Sequence, residues 1–309
     1  MKRRTFIAGL GGAAAWPVVA RAQQPAIPVI GYLSTITPEA DAGLLNAFRQ
    51  ALRETGFVEG QNVAIEYRWA ENRRDRLPQL VADLDRLRVN VIVAPDDPAA
   101  LAAKRAATTL PIVFWAGGDP VEMGLVASLN RPGGNLTGVA SMNAESGGKR
   151  FGLLHEILPR ALRFALLVSD ARSDHISIVR AVALSLRLQI HIAMLAQMRP
   201  DALLIATSTL FLELRVRLAT LAAYNRLPTI FGMREFVEAG GLMSYGERVE
   251  ELYRQLGIYS GRILKGDKPS DLPVWRPTKF ELVINLKTAN ALGLIIPETL
   301  LATADEVIQ

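Results

Sequence analysis

Residues 29–56 read VIGYLSTITPEADAGLLNAFRQALRETG, and the order of events within them sets the fold. Val29, Ile30, Gly31, Tyr32 and Leu33 make a short, nearly unbroken apolar run, the pattern of a strand buried on both faces. Ser34, Thr35, Ile36, Thr37 and Pro38 break that run as a turn. Leu44, Leu45, Phe48, Ala51 and Leu52 then recur on one helical face, and Gly56 stops the helix. Strand, turn and helix in this order form the repeating unit of a parallel α/β sheet.

The unit recurs along the chain. Val63, Ile65, Tyr67 and Trp69 alternate with more polar residues as a half-buried strand, and Leu77, Leu80, Val81, Leu84 and Leu87 form the next helical stripe. Residues 91–94 (VIVA) are again a strand, and Pro98 opens a helix. Residues 112–115 (IVFW) repeat the step, with Pro120 opening a helix expected to reach about residue 129. Arg131-Pro132-Gly133-Gly134-Asn135 is a strong turn, and 136–141 form one more strand. The alternation then restarts, with strands expected at 164–169, 188–192, 202–206, 229–232 and 242–245 and a helix over 210–223. Two successive series imply two Rossmann-like α/β lobes, each a parallel sheet covered by helices on both faces. A helix at 249–264, a strand at 279–286 and two final helices close the chain.

The first residues carry a different message. Gly9, Gly11 and Ala14 spell G-x-G-x-x-A, but only four residues, a poor strand, lead into them and Pro17 interrupts any helix after them. That context does not fit a dinucleotide fingerprint. Lys2, Arg3 and Arg4 instead form a basic start, 6–15 a short apolar core, and Ala20-Arg21-Ala22 a small-x-small cleavage site. The expectation is export by a signal over 1–22, with Arg3 and Arg4 read as a twin-arginine pair rather than an ordinary secretory start. Removing its four bases takes the net charge from +5 to +1, which leaves no strong basic field for a nucleic-acid partner. The densest basic stretch, 68–76 (RWAENRRDR), is interrupted by acids and reads as a solvated loop. The chain has no cysteine, which removes thiolate chemistry and most structural zinc sites.

In doubly wound sheets ligands bind at the carboxyl ends of strands, so those ends are where binding chemistry is expected. Asp97-Pro98 and Asp119-Pro120 each read as a capping acid before a first-turn proline, at helix starts whose free N–H groups suit a carboxylate. Asp96 and Asp97, adjacent after a strand, point in different directions and do not read as an acid–base pair. The three histidines, His155, His175 and His191, have no metal-ligand spacing, and His155 falls in an apolar helical stripe. Gly147-Gly148-Lys149-Arg150 imitates the end of a phosphate loop but lacks its leading glycine and final Ser or Thr. No G-x-S-x-G elbow is present. Tyr32, Trp115 and Tyr245 are candidates for an aromatic pocket, with core packing the competing role for Tyr32 and Trp115.

Longer motifs add to this reading. The stretches 118–129 (GDPVEMGLVASL), 131–138 (RPGGNLTG), 238–246 (EAGGLMSYG), 263–266 (ILKG), 271–274 (DLPV), 277–285 (PTKFELVIN) and 292–297 (LGLIIP) resemble the ABC-importer solute-binding proteins of the tryptophan/tyrosine-binding-like group. The resemblance spans nearly all of 27–309. It implies a type I periplasmic-binding-protein fold, with a first lobe over 27–140 to which about 247–270 crosses back, and a second over 141–246 with about 271–309. It implies a monomer that captures a small solute, an amino acid or an aromatic or other carboxylate, by hinge closure. Catalysis, cofactors and metals are not implied; the partners are a membrane permease and its ATPase, and the membrane is met only through the permease. The matched cleft positions are Ser34, Thr35, Asp97, Ala99, Asp119, Ser141, Asn143, Thr207, Ser208, Glu235 and Tyr245. In this scheme a ligand carboxylate meets Thr35 and 97–99, and an ammonium meets Glu235 or Asp119. One departure stands out: only 193–199 separates two strands where the family carries a helix of about 20 residues, room for about two turns. The rival readings are an exported enzyme on a Rossmann-like sheet and the effector-binding part of a repressor.

Overall fold

The computed structural model describes residues 27–106, 109–141, 143–168, 189–192 and 200–309. The export segment at 1–22, the short 193–199 stretch and His175 lie outside the described residues. The opening unit forms as its pattern requires: strand β1 (Val29–Ser34) runs into helix α1 (Pro38–Glu54), where extended Thr37 caps the Ala40 N–H and Pro38 takes the first position. Strands β2 (Ala64–Trp69), β3 (Val91–Ala94), β4 (Ile112–Ala116) and β5 (Leu136–Ala140) complete a parallel sheet in the order β2-β1-β3-β4-β5. Helices α2 (Leu77–Arg86) and α3 (Asp97–Ala106) bury one face of it. The strand order reverses between β1 and β3, which opens a crevice at their carboxyl ends.

The second lobe repeats this topology. Strands β6 (Arg163–Leu167), β7 (Gln189–Ile192), β8 (Ala202–Ile205), β9 (Thr229–Phe231) and β10 (Met243–Gly246) lie in the order β7-β6-β8-β9-β10, all parallel. Helix α4 (Asn143–Ile157) leads from the first lobe into it and packs Phe151 and Leu154 on the sheet. After β10 the chain leaves as the helix Val249–Leu264, which lies along α1 and sends the Tyr253 hydroxyl to Asp41. It stays with the first lobe through Trp275, which bridges Val139, while the Thr137 hydroxyl bonds the Leu272 carbonyl. The return to the second lobe therefore follows Trp275.

Four expectations are corrected. The second sheet is mixed, because the returning chain enters from the far side and β11 (Glu281–Asn285) pairs antiparallel to β10. A short strand β12 (Glu306–Ile308), not anticipated, then pairs parallel to β11. No helix forms over 120–129: the Asp119 carboxylate takes the Val121 and Glu122 N–H groups, and Gly124, at φ +70°, ends the turn at once. The expected helix over 210–223 is divided at Leu214 into Thr209–Glu213 and Arg215–Tyr224.

Candidate functional site

The switch point of the first sheet is organised by one carboxylate. Asp96, following β3, accepts the Thr35 N–H at 2.8 Å, the Thr35 hydroxyl at 2.5 Å and the Ala99 N–H at 2.9 Å. It therefore caps α3, and the expected cap, Asp97, is corrected: Asp97 is already helical and its carboxylate turns aside to accept the Gly117 N–H at 2.8 Å. Burial pushes the Asp96 carboxyl up, while these three bonds favour its charged form. The donors expected to cradle a ligand carboxylate are thus engaged within the chain.

Beside this knot lies a cleft of about 630 Å³, bounded by residues of both lobes. One polar corner holds Asp97 and Gly117 of the first lobe and Asn143, the first residue of α4. Asn143 is 2 % exposed, and its Oδ1 meets no donor among the described residues. Gly117 lies beside the other two: a Cβ there would stand 3.4 Å from Asp97 Oδ2 and 3.7 Å from Asn143 Nδ2. The Asp97 carboxylate and the Asn143 amide nitrogen thus stand on the same side of Gly117, while Asn143 Oδ1 keeps an open acceptor for a hydrogen-bond donor.

The second-lobe side of the cleft is organised by a cation that also holds the Asn143 backbone. Arg150, on α4 and 2 % exposed, donates to the carbonyls of Asn143 (2.9 Å) and Ser146 (3.3 Å), to Ser146 Oγ (2.9 Å) and to Thr207 Oγ1 (3.3 Å). Because Thr207 Oγ1 accepts from Arg150, its own proton remains available to the cleft that Thr207 and Ser208 line. Burial lowers the Arg150 guanidinium to about 10, with Glu247 and Tyr245 opposing the shift, so it stays cationic at neutral pH. Gly232 makes room for this wall: a Cβ there would strike the Thr207 hydroxyl and come within 2.6 Å of Arg150 Nη1. The two lobes touch directly where Asn72 Nδ2 donates to Glu213 at 2.8 Å. Asn72 is held for this in a left-handed conformation, φ +62°, by its N–H bond to the Thr35 carbonyl at 2.7 Å.

Of the eleven candidate positions, Thr35, Asp97, Asn143, Thr207 and Ser208 line this cleft. Ser34 turns into the core toward Asp41, and Ala99 lies beneath the floor. Ser141 accepts the Trp115 indole N–H at 2.8 Å and stands behind that ring, which does line the cleft. Asp119 is exposed on its turn, and Tyr245 stacks on Phe280. Glu235 opens a four-residue helix with one carboxylate oxygen unpartnered among the described residues. Burial, with Glu238, Glu250 and Glu281 adding to it, pushes its carboxyl up to about 7. Tyr32 is a core residue, packed on Phe48 and Tyr67. Sequence reasoning passed over Asn72, Arg74, Arg105 and Arg150. The last lies in the GGKR stretch, whose glycines are inside α4 and form no phosphate loop.

Residues 29–308 match the family model for ABC transporter substrate binding protein. The chain belongs to that family. A tyrosine-binding protein of Clostridioides difficile (strain R20291) is 26% identical over 263 residues, 80% of this chain and 75% of that one. A Streptococcus pneumonia ABC domain in complex with L-Trp has a TM-score of 0.83 at 24% identity, covering 91% of this chain and 99% of that one. The ligand-free, open structure of a Clostridium difficile substrate-binding protein with adhesive properties has a TM-score of 0.68 at 24% identity, covering 92% and 100%. The protein is an extracytoplasmic, solute-capturing component of an ABC transporter, with a type I periplasmic-binding-protein fold. No helix among the described residues is long and apolar enough to cross a membrane.

Proposed function

We propose that the cleft captures an α-amino acid with an apolar side chain, held by its two charges between the two lobes. The observation that carries this is the pairing of two polar groups across the cleft: the Asp97 carboxylate of the first lobe, and the Thr207 hydroxyl of the second backed by Arg150, with the unmatched Asn143 Oδ1 at the junction. The ligand ammonium pairs with Asp97 and Asn143 Oδ1, and its carboxylate takes the Thr207 and Ser208 hydroxyls. This polarity is the reverse of the sequence-based scheme, since Asp96 engages the Thr35 and Ala99 donors. Tyrosine is named for the sequence relative and L-Trp for the structural one, which supports an aromatic side chain beside Trp115. The lobes stand closed in this reading, supported by the Asn72–Glu213 bond and the better match to the tryptophan complex than to the open structure. A ligand whose charges span both walls drives closure, because neither charge is matched when the lobes part.

The protein acts without catalysis, as a monomer with no nucleic-acid partner. It is exported to the periplasm by the twin-arginine route, and presents its closed form to a permease coupled to an ATPase. The test is a thermal-shift screen and calorimetry of the mature protein against L-amino acids and their deaminated acids. A ligand at 100 times its Kd adds about 2.7 kcal/mol of stability. Aromatic amino acids are expected to stabilise and deaminated acids to fail. Asp97→Asn keeps an acceptor for Gly117 but loses the charge, and weakens binding at least about ten-fold. Equal binding of amino and deaminated acids would remove Asp97 and Asn143 from the proposed role.

A further inference from the structure

The cleft is longer than an amino-acid backbone requires, and its extension has a chemistry of its own. Pro98, Leu101, Ala102, Arg105 and Ala106 all line it, positions i, i+3, i+4, i+7 and i+8 of α3. One whole face of that helix is therefore cleft wall, and eight residues at 1.5 Å each carry it about 12 Å outward from the Asp97 corner. Leu77 and Pro78, from the start of α2, and Leu210 from the second lobe make the rest of this arm apolar. Two cations interrupt it. Arg74 lies near the inner end, where its charge reaches Asp96, and Arg105 lies near the outer end. Neither meets a carboxylate within ion-pair distance among the described residues, although fourteen ion pairs are formed elsewhere in the molecule. Lys104, one residue away and outside the cleft, donates to the Leu125 carbonyl instead.

We infer that the arm is a second recognition subsite, and that the preferred solute has an extended apolar body ending in an anionic group that meets Arg105. The guanidinium fork donates two parallel hydrogen bonds to a planar carboxylate, and Arg105 is the cation at the outer end of the arm, with Arg74 held near Asp96 at the inner end. This rests on the proposed amino-acid reading for the inner end only. The arm runs from Asp97 outward, so an aromatic side chain carrying a para-carboxylate fills its inner part and brings the charge within reach of the long, flexible Arg105 side chain, whereas a plain phenyl group leaves Arg105 solvated.

The experiment compares L-phenylalanine with 4-carboxy-L-phenylalanine, and phenylacetate with 4-carboxyphenylacetate, by calorimetry on the mature protein and on Arg105→Glu. Arg105 is an exposed side chain at the end of a helix, so its substitution leaves the fold intact, which a melting curve checks. In the native protein the para-carboxylate is expected to tighten binding about five-fold, less at high salt, and Arg105→Glu to reverse that preference. Arg105→Lys should retain part of it. Equal binding within each pair, or a preference that survives Arg105→Glu, overturns the inference; so does absence of binding by both carboxylated compounds. Failure of the amino-acid reading looks different: the phenylacetate pair then binds as well as the amino acids, whatever Arg105 does.

Discussion

The two walls of the cleft are built on the same topology and carry opposite charge. In the first lobe the reversal between β1 and β3 is tied by a carboxylate, Asp96, which gathers two N–H groups and a hydroxyl. In the second lobe the wall at the end of β8 is tied by a guanidinium, Arg150, which gathers two carbonyls and two hydroxyl oxygens. A repeated fold supplies the same kind of crevice twice, and the buried ion chosen to knit each one sets which ligand charge it favours. On the proposed reading, this difference lets one small zwitterion address both lobes at once.

The strongest way to break this contrast is to remove its cation. Arg150→Met removes the guanidinium bonds to the Asn143 and Ser146 carbonyls and leaves Thr207 unsupported. It should cost about 3 kcal/mol in denaturant unfolding and abolish carboxylate-dependent binding. Full binding with the variant folded would mean that the second wall does not depend on that charge. Asp96→Ala orphans the Thr35 and Ala99 donors and uncaps α3, with an expected loss of about 2–3 kcal/mol, part of it recovered by Asp96→Asn.

Glu235 sharpens the comparison, being a buried acid of the second lobe that stands apart from the cation. Its folded-state value of about 7 lies above the ordinary 4.5, so the folded protein holds this proton more tightly than the unfolded chain. Stability from this group is complete below pH 4.5 and is lost as pH rises to about 7, above which the cost is constant. Glu235→Gln should erase that slope and raise stability at pH 8 by about 1–3 kcal/mol, measured by urea melts across pH. A variant with an unchanged pH profile would show the acid to be solvated in solution. The smallest effect is expected for Asn72→Gly, which keeps the left-handed backbone and cuts the one direct bond described between cleft rims. Closure weakens by about 0.5–1 kcal/mol, seen as two- to five-fold faster ligand release with unchanged thermal stability.

Much of the lobe architecture was legible because its signals are local. The run 29–33, the Thr37-Pro38 start of α1 and the turn at 131–135 each act over a few residues, and the structure places strand, helix and loop accordingly. The failures are local as well: after Asp119-Pro120 a single glycine at positive φ cut short a helix whose start signals were all present. At the cleft, which of two adjacent aspartates caps α3 depended on where β3 ends against β1, a matter of register. The loop 68–76 looked like solvated charge, yet Asn72 and Arg74 fold over the cleft mouth. No spacing in the sequence relates Asn72 to Glu213 or Arg150 to Thr207: the first pair is joined by the meeting of the lobes, the second by the packing of α4 on the second sheet.

The sequence by itself determined that strands and helices alternate in two series and that polar residues follow the carboxyl ends of the strands, because periodicity and turn chemistry are properties of neighbouring residues. Tertiary structure alone decided that Asp96 fills the first crevice from within, that Arg150 is sealed behind the second, and that one face of α3 becomes a wall. Burial fixed those outcomes. A charge removed from water must find its partners in three dimensions, and the partners here lie from three to 61 residues away along the chain.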